Sequence, residues 1–517
     1  MDDRNMCLEW TSMKSNAFTN IVGRIAIAAA TCGPLAAATG AAVPVALRES
    51  FARDIAATVY RWAPEDPRSA TERIDALARF TYESYDSSAW IPQSIISAYQ
   101  VHPLTTAGMD RLIRDRVGLV LWPQNPLARV YGMAPNPAPN QPASWTLNCV
   151  ACHLAEIDGV AYFGAGNKTL DEMILGHAAE KLTDLSNLSQ PPGNPGEQAT
   201  AARAHDILRR HHHAAFDPLT RGRSTAFPAS HVEMHMRAHG GAMPLPEQVG
   251  RGDVKTPPLW HAVAKMPFQR WYCDGSFQGP FPLMASSMEL ALDQSFDKLA
   301  TSVVPTIQSD FQKVIQFLRP PPYPYPIDHA LAARGKALFE SDKIGCAACH
   351  GTYDGRGNVA WTGRHEDVGT DAARLKVVTG EFIEVFGRSP LSKVGQLHAS
   401  DGYAATPLTG VWANFPYLHN GSVPTLHDLL GPVSQRPTRF PVLGARNLDR
   451  VKVGQSVSAE AAAASETAEP TPGMDRRDDR NWFWTGRPGC SNAGHDYWKR
   501  IGNDANRWAL IEYLKTL

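Results

Sequence analysis

The stretch LNCVACHLAE at residues 147–156 contains two cysteines separated by two residues, with a histidine directly after the second cysteine. The stretch GCAACHGTYD at residues 345–354 repeats this arrangement. Cysteine pairs at this spacing occur in zinc sites, in redox-active dithiols and at covalent attachment points for a prosthetic group. The histidine that follows each pair helps to separate these possibilities.

The chemistry of each alternative favours the third. A zinc site needs a second pair of ligands nearby and does not require the adjacent histidine. A thioredoxin-like dithiol belongs to a βαβ pattern, which this sequence lacks. Cys-x-x-Cys-His is the attachment signature of a c-type haem: two thiols one helical turn apart meet the two vinyl groups of a porphyrin, and the histidine becomes the proximal iron ligand. The sequence therefore predicts two covalently attached haem c groups, bound by Cys149, Cys152 and His153 and by Cys346, Cys349 and His350.

Length and composition exclude several other classes of protein. The chain has 517 residues, enough for two or three domains, and a net charge of −1, so no basic field favours binding of nucleic acid. It contains 40 prolines, 40 glycines and 43% hydrophobic residues, a composition typical of a loop-rich soluble protein.

The N-terminal region predicts export. IAIAAATCGPLAAATGAAV (25–43) is short, rich in alanine and interrupted by glycine and proline. It is more typical of a signal peptide over residues 1–42, cleaved among Ala36–Ala42, than of a stable membrane span. An uncleaved anchor is the alternative. The expected location is periplasmic or secreted.

Export bears on the cysteines outside the two motifs. Of eight cysteines, Cys7 and Cys32 would leave with the signal peptide, which leaves Cys273 and Cys490. In an oxidising compartment this pair is a candidate disulfide, although sequence separation says nothing about the distance between the thiols.

Segments of unusual composition along the chain predict the domain organisation. A helical preface and a loop occupy 43–145, a first haem domain 146–320 and a second haem domain 321–517. LRPPPYPYPIDH (318–329) is a polyproline-like linker into the second domain. Residues 456–479 contain few large apolar side chains and are predicted to be a mobile insertion.

Two local patterns add detail to the haem domains. The C-terminal ANRWALIEYLKTL predicts an amphipathic helix, with Trp508, Leu510, Ile511 and Leu514 facing a haem domain. TPPLWHAVAKMPFQRWYCDGS (256–276) is weakly repeated as TPLTGVWANFPYLHNGS (406–422), and each copy follows its own haem motif. The repeat indicates two related domains whose haem surroundings have diverged.

The paired motifs together with PYLHNGSVPTLHDLL (416–430) resemble the bacterial di-haem cytochrome c peroxidase and methylamine-utilisation maturase superfamily. NCVACHLAEIDGVAYFGAGNKTLDEM (148–173) and the C-terminal 491–517 are closer to its rubber oxygenase-like branch. The resemblance covers about residues 145–517. It implies a mainly α protein with two cytochrome c-type haem domains, long loops and sparse β structure, in which one haem reacts and the other relays or stores electrons.

Axial ligation distinguishes the two haems. Histidine on both sides of the iron leaves no site for a small molecule, whereas an open sixth position does. The only methionine after Cys349 is Met474, which lies inside the predicted insertion. Histidines are therefore the candidates for the sixth ligand opposite His350. The resemblance to rubber oxygenases implies His495 as this ligand, with His419 as the competitor. The alternative is that both are ordinary hydrogen-bonded histidines.

The distal side of the first haem departs from the peroxidase pattern, because no distal histidine loop is recognisable after His153. The rubber oxygenases imply an apolar pocket built from the segment 259–277, lined by Phe268, Trp271 and Phe277. The resemblance also implies that Trp260 passes electrons between the haems. The alternative is that these aromatic side chains belong to the core.

Two functional hypotheses follow. The first is an exported di-haem oxidoreductase that activates peroxide or O₂ at the first haem, as a peroxidase or a rubber oxygenase-like dioxygenase, with the second haem six-coordinate. Its partners would be the small-molecule oxidant, an apolar organic substrate and an electron-donating cytochrome or cupredoxin. The second is a di-haem electron-transfer cytochrome without substrate chemistry. The length of the chain favours the enzyme, since two haems can be shielded by far fewer residues.

Overall fold

The computed structural model describes residues 61–63, 65–82, 91–92, 113–122, 131–135, 144–171, 186, 195–212, 220–224, 252–282, 304–354, 358–388, 390–467 and 480–517. Both Cys-x-x-Cys-His motifs lie within these ranges. The predicted signal peptide lies outside them, as do Cys7 and Cys32. Among the described helices, none is long and apolar enough to span a membrane.

Helices are the longer elements of the described chain, and both motifs lie on short ones. The α-helices are α1 Ala70–Tyr82, α2 Cys149–Cys152, α3 Pro195–His212, α4 His261–Lys265, α5 Val304–Ile315, α6 His329–Glu340, α7 Cys346–His350, α8 Gly380–Arg388, α9 Leu426–Leu430, α10 Ala459–Thr467, α11 Trp498–Ile501 and α12 Asp504–Lys515. The 3₁₀ turns are Arg374–Lys376, Pro390–Lys393, Val411–Ala413, Val433–Gln435 and Val442–Arg446, and Ile113–Val117 is a π-helical turn.

The strands described are two to four residues long and form small antiparallel sheets. Two sheets have three strands: Ile91–Pro92, Ser144–Leu147 and Met133–Pro135; and Gln396–Leu397, Phe277–Gln278 and Arg270–Trp271. The strand pairs are Arg61–Trp62 with Leu318–Arg319, Leu154–Ile157 with Val160–Phe163, Arg223–Ser224 with Val254–Lys255, Thr352–Tyr353 with Val359–Ala360, His365–Glu366 with Tyr403–Ala404, Arg439–Pro441 with Trp482–Trp484, and Leu448–Asp449 with Gly454–Gln455.

Helices α6 and α12 cross closely and form the base of the second motif. Asp328 caps α6 by accepting a hydrogen bond from the Leu331 amide, and Asn503 caps α12 by accepting one from the Asn506 amide. The crossing depends on Gly335, because a Cβ at this position would lie 1.9 Å from the carbonyl oxygen of Ala509. The close crossing therefore fixes the position of α6, from which a short connection leads into α7 and the second motif.

The C-terminal helix packs much as its pattern predicts. Leu510, Ile511 and Leu514 are buried in the main core cluster. Trp508 is partly buried, and its ring lies 4.8 Å from that of His427.

The proline-rich segment 318–329 is packed against the rest of the chain. Tyr323 is buried beside Trp412, whose indole N–H donates to the carbonyl of Pro321 at 3.0 Å. The Tyr325 hydroxyl donates to the Asp158 carboxylate next to the first motif. This predicted linker therefore connects the surroundings of both motifs through side-chain contacts.

Helix α10 occupies part of the range predicted as a mobile insertion. Its Ala461 is buried, and a Cβ at Gly444 in the Val442–Arg446 turn would lie 3.0 Å from the Ala461 Cβ. Residues 468–479 lie outside the described residues.

Candidate functional site

Two buried asparagines hold the first motif in place. Asn148 caps α2 through its side chain, which accepts from the Val150 amide. The side-chain amide of Asn167 donates to the carbonyls of Gly118 and Ala151. Its backbone N–H donates to the Cys152 carbonyl at 2.7 Å. These bonds fix the chain on both sides of the two thiols.

The ring of His153 is oriented by a backbone carbonyl. Its Nδ1 lies 3.1 Å from the Pro257 oxygen, so the N–H at Nδ1 donates there and Nε2 is left with a lone pair. Burial lowers the pKa of His153 to about 4. The imidazole is therefore neutral near pH 7, as a ligand to iron must be.

The second motif repeats this arrangement. Gly345 adopts a left-handed conformation (φ 82°) where the chain turns into α7, which carries Cys346 and Cys349. The Nδ1 of His350 lies 2.8 Å from the Thr406 oxygen, and burial lowers its pKa. Pro257 and Thr406 both lie at the start of the two copies of the internal repeat, so the repeat supplies the carbonyl that orients each motif histidine.

A second histidine faces the second motif. The rings of His350 and His495 have centroids 6.2 Å apart with an interplanar angle of 58°. Imidazole nitrogens bind metal ions at about 2 Å, so two rings at this separation could both hold one metal ion. Burial lowers the pKa of His495 to about 3, so this ring is also neutral.

The turn that carries His495 is tightly constrained. His495 has a positive φ of 49°, and its backbone N–H donates to Val368 at 2.9 Å. Arg436 donates to the carbonyls of Asn492, Gly494 and His495 at 2.5, 2.8 and 3.2 Å. A rare backbone conformation held by several partners is typical of functional positions.

His419, the competitor, has different surroundings. Its ring stacks on Tyr403 at 3.9 Å with an interplanar angle of 15°. Burial lowers its pKa to about 3. The described ring contacts thus bring His495, and not His419, against His350.

Trp260 lies between the surroundings of the two motifs. Its indole N–H donates to Thr409 at 2.9 Å, three residues after the carbonyl that orients His350. On the other side, a Cβ at Gly164 would lie 3.1 Å from the Trp260 ring, and the Gly164 amide donates to the His153 carbonyl. One buried indole therefore connects both halves of the site.

The other candidate aromatic residues have mixed surroundings. Phe268 is 37% exposed and packs edge-on against Trp361 at 5.2 Å. Trp271 is buried against Phe311, and Phe277 is buried against Phe386. The described ring contacts of Trp271 and Phe277 are with core side chains.

The residues of both motifs fit a covalently attached haem. Each motif provides two cysteines on one helical turn and a neutral histidine whose Nδ1 is already hydrogen-bonded to a backbone carbonyl. At the second motif, the partly buried His495 ring supplies a further neutral imidazole, and its Nδ1 has no hydrogen-bond partner among the residues that the structure describes. Among the described residues, no group of three or more His, Cys, Asp or Glu side chains is arranged to hold a metal ion.

Comparison with known proteins gives a partial match. Residues 402–441 match the family described as RoxA-like, cytochrome c-like. The match supports a cytochrome c-type relationship. A domain of this type implies a covalently bound haem c, and it suggests a haem-based oxidoreductase related to the rubber oxygenase branch.

Two curated relatives come from Sinorhizobium fredii (strain NBRC 101917 / NGR234). The uncharacterized protein y4iM is 32% identical over 240 residues, covering 38% of this chain and 51% of the relative. The uncharacterized protein y4iJ is 28% identical over 304 residues, covering 46% of this chain and 47% of the relative. The chain spans about half the length of the curated relatives it matches.

Three features of the site have no signal in the sequence. Pro257 and Thr406 act through backbone carbonyls, which any residue possesses. Arg436 is a single arginine in a proline-rich loop and follows no motif.

The candidate disulfide between Cys273 and Cys490 is not formed in this structure, where both cysteines are free. Burial raises the pKa of each thiol to about 12.

Proposed function

We propose that this protein is an exported di-haem c-type oxidoreductase that activates peroxide or O₂ at the haem of His153. The haem of His350 would be six-coordinate through His495 and would transfer or store electrons. The observation that carries the proposal is the facing pair of neutral rings at His350 and His495. If both histidines held the iron of one haem, small-molecule chemistry would be left to the other haem.

A bound haem c supplies one-electron redox chemistry and, where an axial position is open, the reduction or activation of O₂ or peroxide. The protein supplies orientation and exclusion of water. The Pro257 and Thr406 carbonyls hold the Nδ1 proton of each proximal histidine, which fixes the tautomer and keeps Nε2 available. Because both histidines are neutral near pH 7, they would bind iron without first releasing a proton to solvent.

Trp260 is proposed to pass electrons between the haems. It is 3% exposed and contacts the chain beside both proximal histidines. A buried aromatic ring between the two proposed haem sites would shorten the distance that an electron must cross in one step. The electron donor would be a cytochrome or a cupredoxin.

The class of substrate depends on the distal side of the first haem. A peroxidase uses polar groups to assist cleavage of the O–O bond, and an oxygenase acting on an apolar alkene uses a hydrophobic pocket. The segment 259–277 offers Gln269 and Arg270 for the first role and Phe268, Trp271 and Phe277 for the second. The branch that the chain resembles favours an apolar organic substrate.

The second candidate is an electron-transfer cytochrome. It is favoured by the constrained His350–His495 pair, which is suited to electron transfer without ligand exchange. In this case both haems would be six-coordinate.

Electron paramagnetic resonance of the oxidised holoprotein tests these proposals. The protein must be produced in a host that attaches c-type haems. We expect one high-spin and one low-spin ferric signal, and the variant His495→Gly, which tolerates the positive φ, should lose the low-spin signal. A low-spin signal that survives in H495G and disappears in H419Q would identify His419 as the ligand. Two low-spin signals, before and after addition of one electron, would support the electron carrier.

A further inference from the structure

The hydroxyl of Tyr353 connects the second motif to the internal repeat. Its side chain is 5% exposed and follows the motif histidine by three residues. The hydroxyl donates to the His350 carbonyl at 2.8 Å and accepts from the Leu408 amide at 2.7 Å. Leu408 lies two residues after Thr406, whose carbonyl is 2.8 Å from the Nδ1 of His350. One phenol therefore links the backbone of His350 to the segment that orients its ring.

The first motif makes the same connection through the backbone of a glycine. The Gly164 amide donates to the His153 carbonyl at 2.8 Å, and the Gly164 carbonyl accepts from the Leu259 amide at 2.7 Å. Leu259 lies two residues after Pro257, whose carbonyl is 3.1 Å from the Nδ1 of His153. The phenol of Tyr353 and the backbone of Gly164 thus occupy equivalent positions beside the two motif histidines. At the second motif a single side chain makes both bonds, so a substitution can remove them.

The surroundings of Tyr353 hold its hydroxyl in place. Gly351 directly follows the motif with a φ of 78°, and a Cβ at this position would lie 2.4 Å from the Ala360 oxygen. This close approach brings Tyr353 opposite Val359 in a two-stranded antiparallel sheet. The ring packs edge-on against Phe339 of α6, with centroids 6.1 Å apart. The phenol therefore cannot turn away from the motif without disturbing this packing.

The segment that carries Thr406 is held from both sides. Before it, the Ala405 amide donates to the Arg364 carbonyl at 3.0 Å, and the Trp361 indole donates to the Ala405 carbonyl at 2.5 Å. After it, the Leu408 amide donates to the phenol. Loss of the phenol hydroxyl would release one side of the segment and leave the other side in place. We therefore expect the segment to loosen without unfolding.

The bond between the His350 ring and the Thr406 carbonyl matters for a histidine that binds iron. A carbonyl that accepts the Nδ1 proton raises the basicity of the imidazole as a ligand. A more basic ligand stabilises the oxidised form of a haem iron, and the reduction potential of the haem is then lower. A loosened Thr406 segment would weaken this hydrogen bond, so the reduction potential would rise.

We propose that Tyr353 is a positioning residue for the haem attached at Cys346 and Cys349. Its hydroxyl holds the Thr406 carbonyl against the His350 ring and thereby lowers the reduction potential of that haem. The proposal rests on the proposed attachment of this haem. It also makes the two motifs unequal, because the first is held at the same place by backbone atoms and the second by a replaceable side chain.

The test uses the full-length holoprotein and three readouts: haem content, the reduction potential of each haem by spectroelectrochemical titration, and the low-spin electron paramagnetic resonance signal. In Tyr353→Phe we expect two haems per chain and one potential higher by about 30 mV, equivalent to about a threefold change in a one-electron equilibrium. The other potential should not change. The g values of the low-spin signal should shift in the same variant, since they depend on how the axial imidazole is oriented.

Tyr323→Phe is the matched control. Tyr323 is also a buried phenol, at 7% exposed, and it donates to the Arg450 carbonyl at 3.0 Å, so the same atom and one hydrogen bond to a backbone carbonyl are lost. We expect both potentials to stay at their wild-type values. In Tyr353→4-aminophenylalanine the N–H still donates to the His350 carbonyl, but the nitrogen is a poor acceptor for the Leu408 amide. This variant should show a smaller rise than Y353F.

Unchanged potentials in Y353F, an equal rise of both potentials, or the same shift in Y323F would overturn the proposal. If Y353F does not fold, the 4-aminophenylalanine variant decides, and wild-type potentials in that variant would overturn the proposal. A wild-type chain without haem at Cys346 and Cys349 would overturn both this proposal and the proposed function. If H495G kept the low-spin signal, the proposed axial pair would be wrong, and a single shifted potential in Y353F would still support the role of Tyr353 on the proximal side.

Discussion

Arg436 holds the turn that carries His495 entirely through backbone carbonyls. Its guanidinium donates to Leu429, Asn492, Gly494 and His495, so one side chain joins the end of α9 to the turn before α11. Burial lowers the pKa of Arg436, but an arginine remains charged near pH 7. The position of the proposed sixth ligand therefore depends on a residue whose described hydrogen bonds all go to backbone carbonyls.

Replacing Arg436 with Gln should loosen this ligand. Several charge-assisted bonds are lost and carbonyls are left unsatisfied, so we expect a loss of about 2 to 3 kcal/mol in the free energy of unfolding. Part of the low-spin ferric signal should become high-spin, and R436K should be intermediate because an ammonium lacks the planar fork. As a control, R388Q changes an arginine whose side chain is 80% exposed and should leave the spectrum unchanged. An unaltered low-spin signal in R436Q would show that the turn holds without it.

The burial of His261 predicts that the stability of the protein depends on pH. It is 3% exposed, its Nε2 lies 3.0 Å from the Thr409 oxygen, and burial lowers its pKa from 6.5 to about 3. Between these values the unfolded chain binds a proton that the folded chain does not, so stability falls as the pH falls below about 6.5. H261Q keeps a donor for Thr409, and it should reduce the slope of unfolding free energy between pH 4 and 6 by about 1.4 kcal/mol per pH unit. Urea titrations across this range measure the slope, and parallel curves for both proteins would refute the assignment.

At the scale of elements, the crossing of α6 and α12 is the most specific packing contact near the second motif. In G335A the new Cβ would meet the Ala509 carbonyl at 1.9 Å, so the helices must separate. We expect a loss of about 3 kcal/mol and a lower Tm. The matched control is G387A on α8, where nothing lies within 4 Å and the residue is exposed. This variant should gain a few tenths of a kcal/mol from helix propensity. Equal Tm values for both variants would contradict the close crossing.

The elements most predictable from the sequence are those with local signals. The caps at Asp328 and Asn503 and the apolar spacing of Leu510, Ile511 and Leu514 are local, and the helices form where these signals lie. The segment 318–329 was less predictable, because its composition favours an extended linker. Its packing depends on Trp412 and Asp158, whose proximity no local pattern reveals.

For the whole molecule, the motif cysteines and histidines follow from sequence alone, since the chemistry of attachment fixes their spacing. The position facing His350 required the resemblance to a family, because His495 lies 145 residues further along and has no motif of its own. Long-range ion pairs were not predictable at all. Asp171 and Arg480, separated by 309 residues, form a buried pair at 2.8 Å that joins the two predicted haem domains. Charge pairing of this kind depends on the tertiary fold, which the sequence does not encode locally.

Communication between the two proposed haems would be a property of the molecule as a whole. Trp260 contacts Gly164 beside the first motif and Thr409 beside the second, so its side chain is one of the described links between them. W260F keeps an aromatic ring but removes the indole N–H and part of the path, so both haems should attach and keep their spectra. We expect electron transfer from one haem to the other to slow at least tenfold, as measured by stopped-flow reduction with a mediator that reduces one haem first. Trp122→Phe is the matched control, because it removes another buried indole, one that stacks on Tyr131 at 5.2 Å. If both variants transferred electrons at the wild-type rate, the two haems would communicate by a route that does not use Trp260.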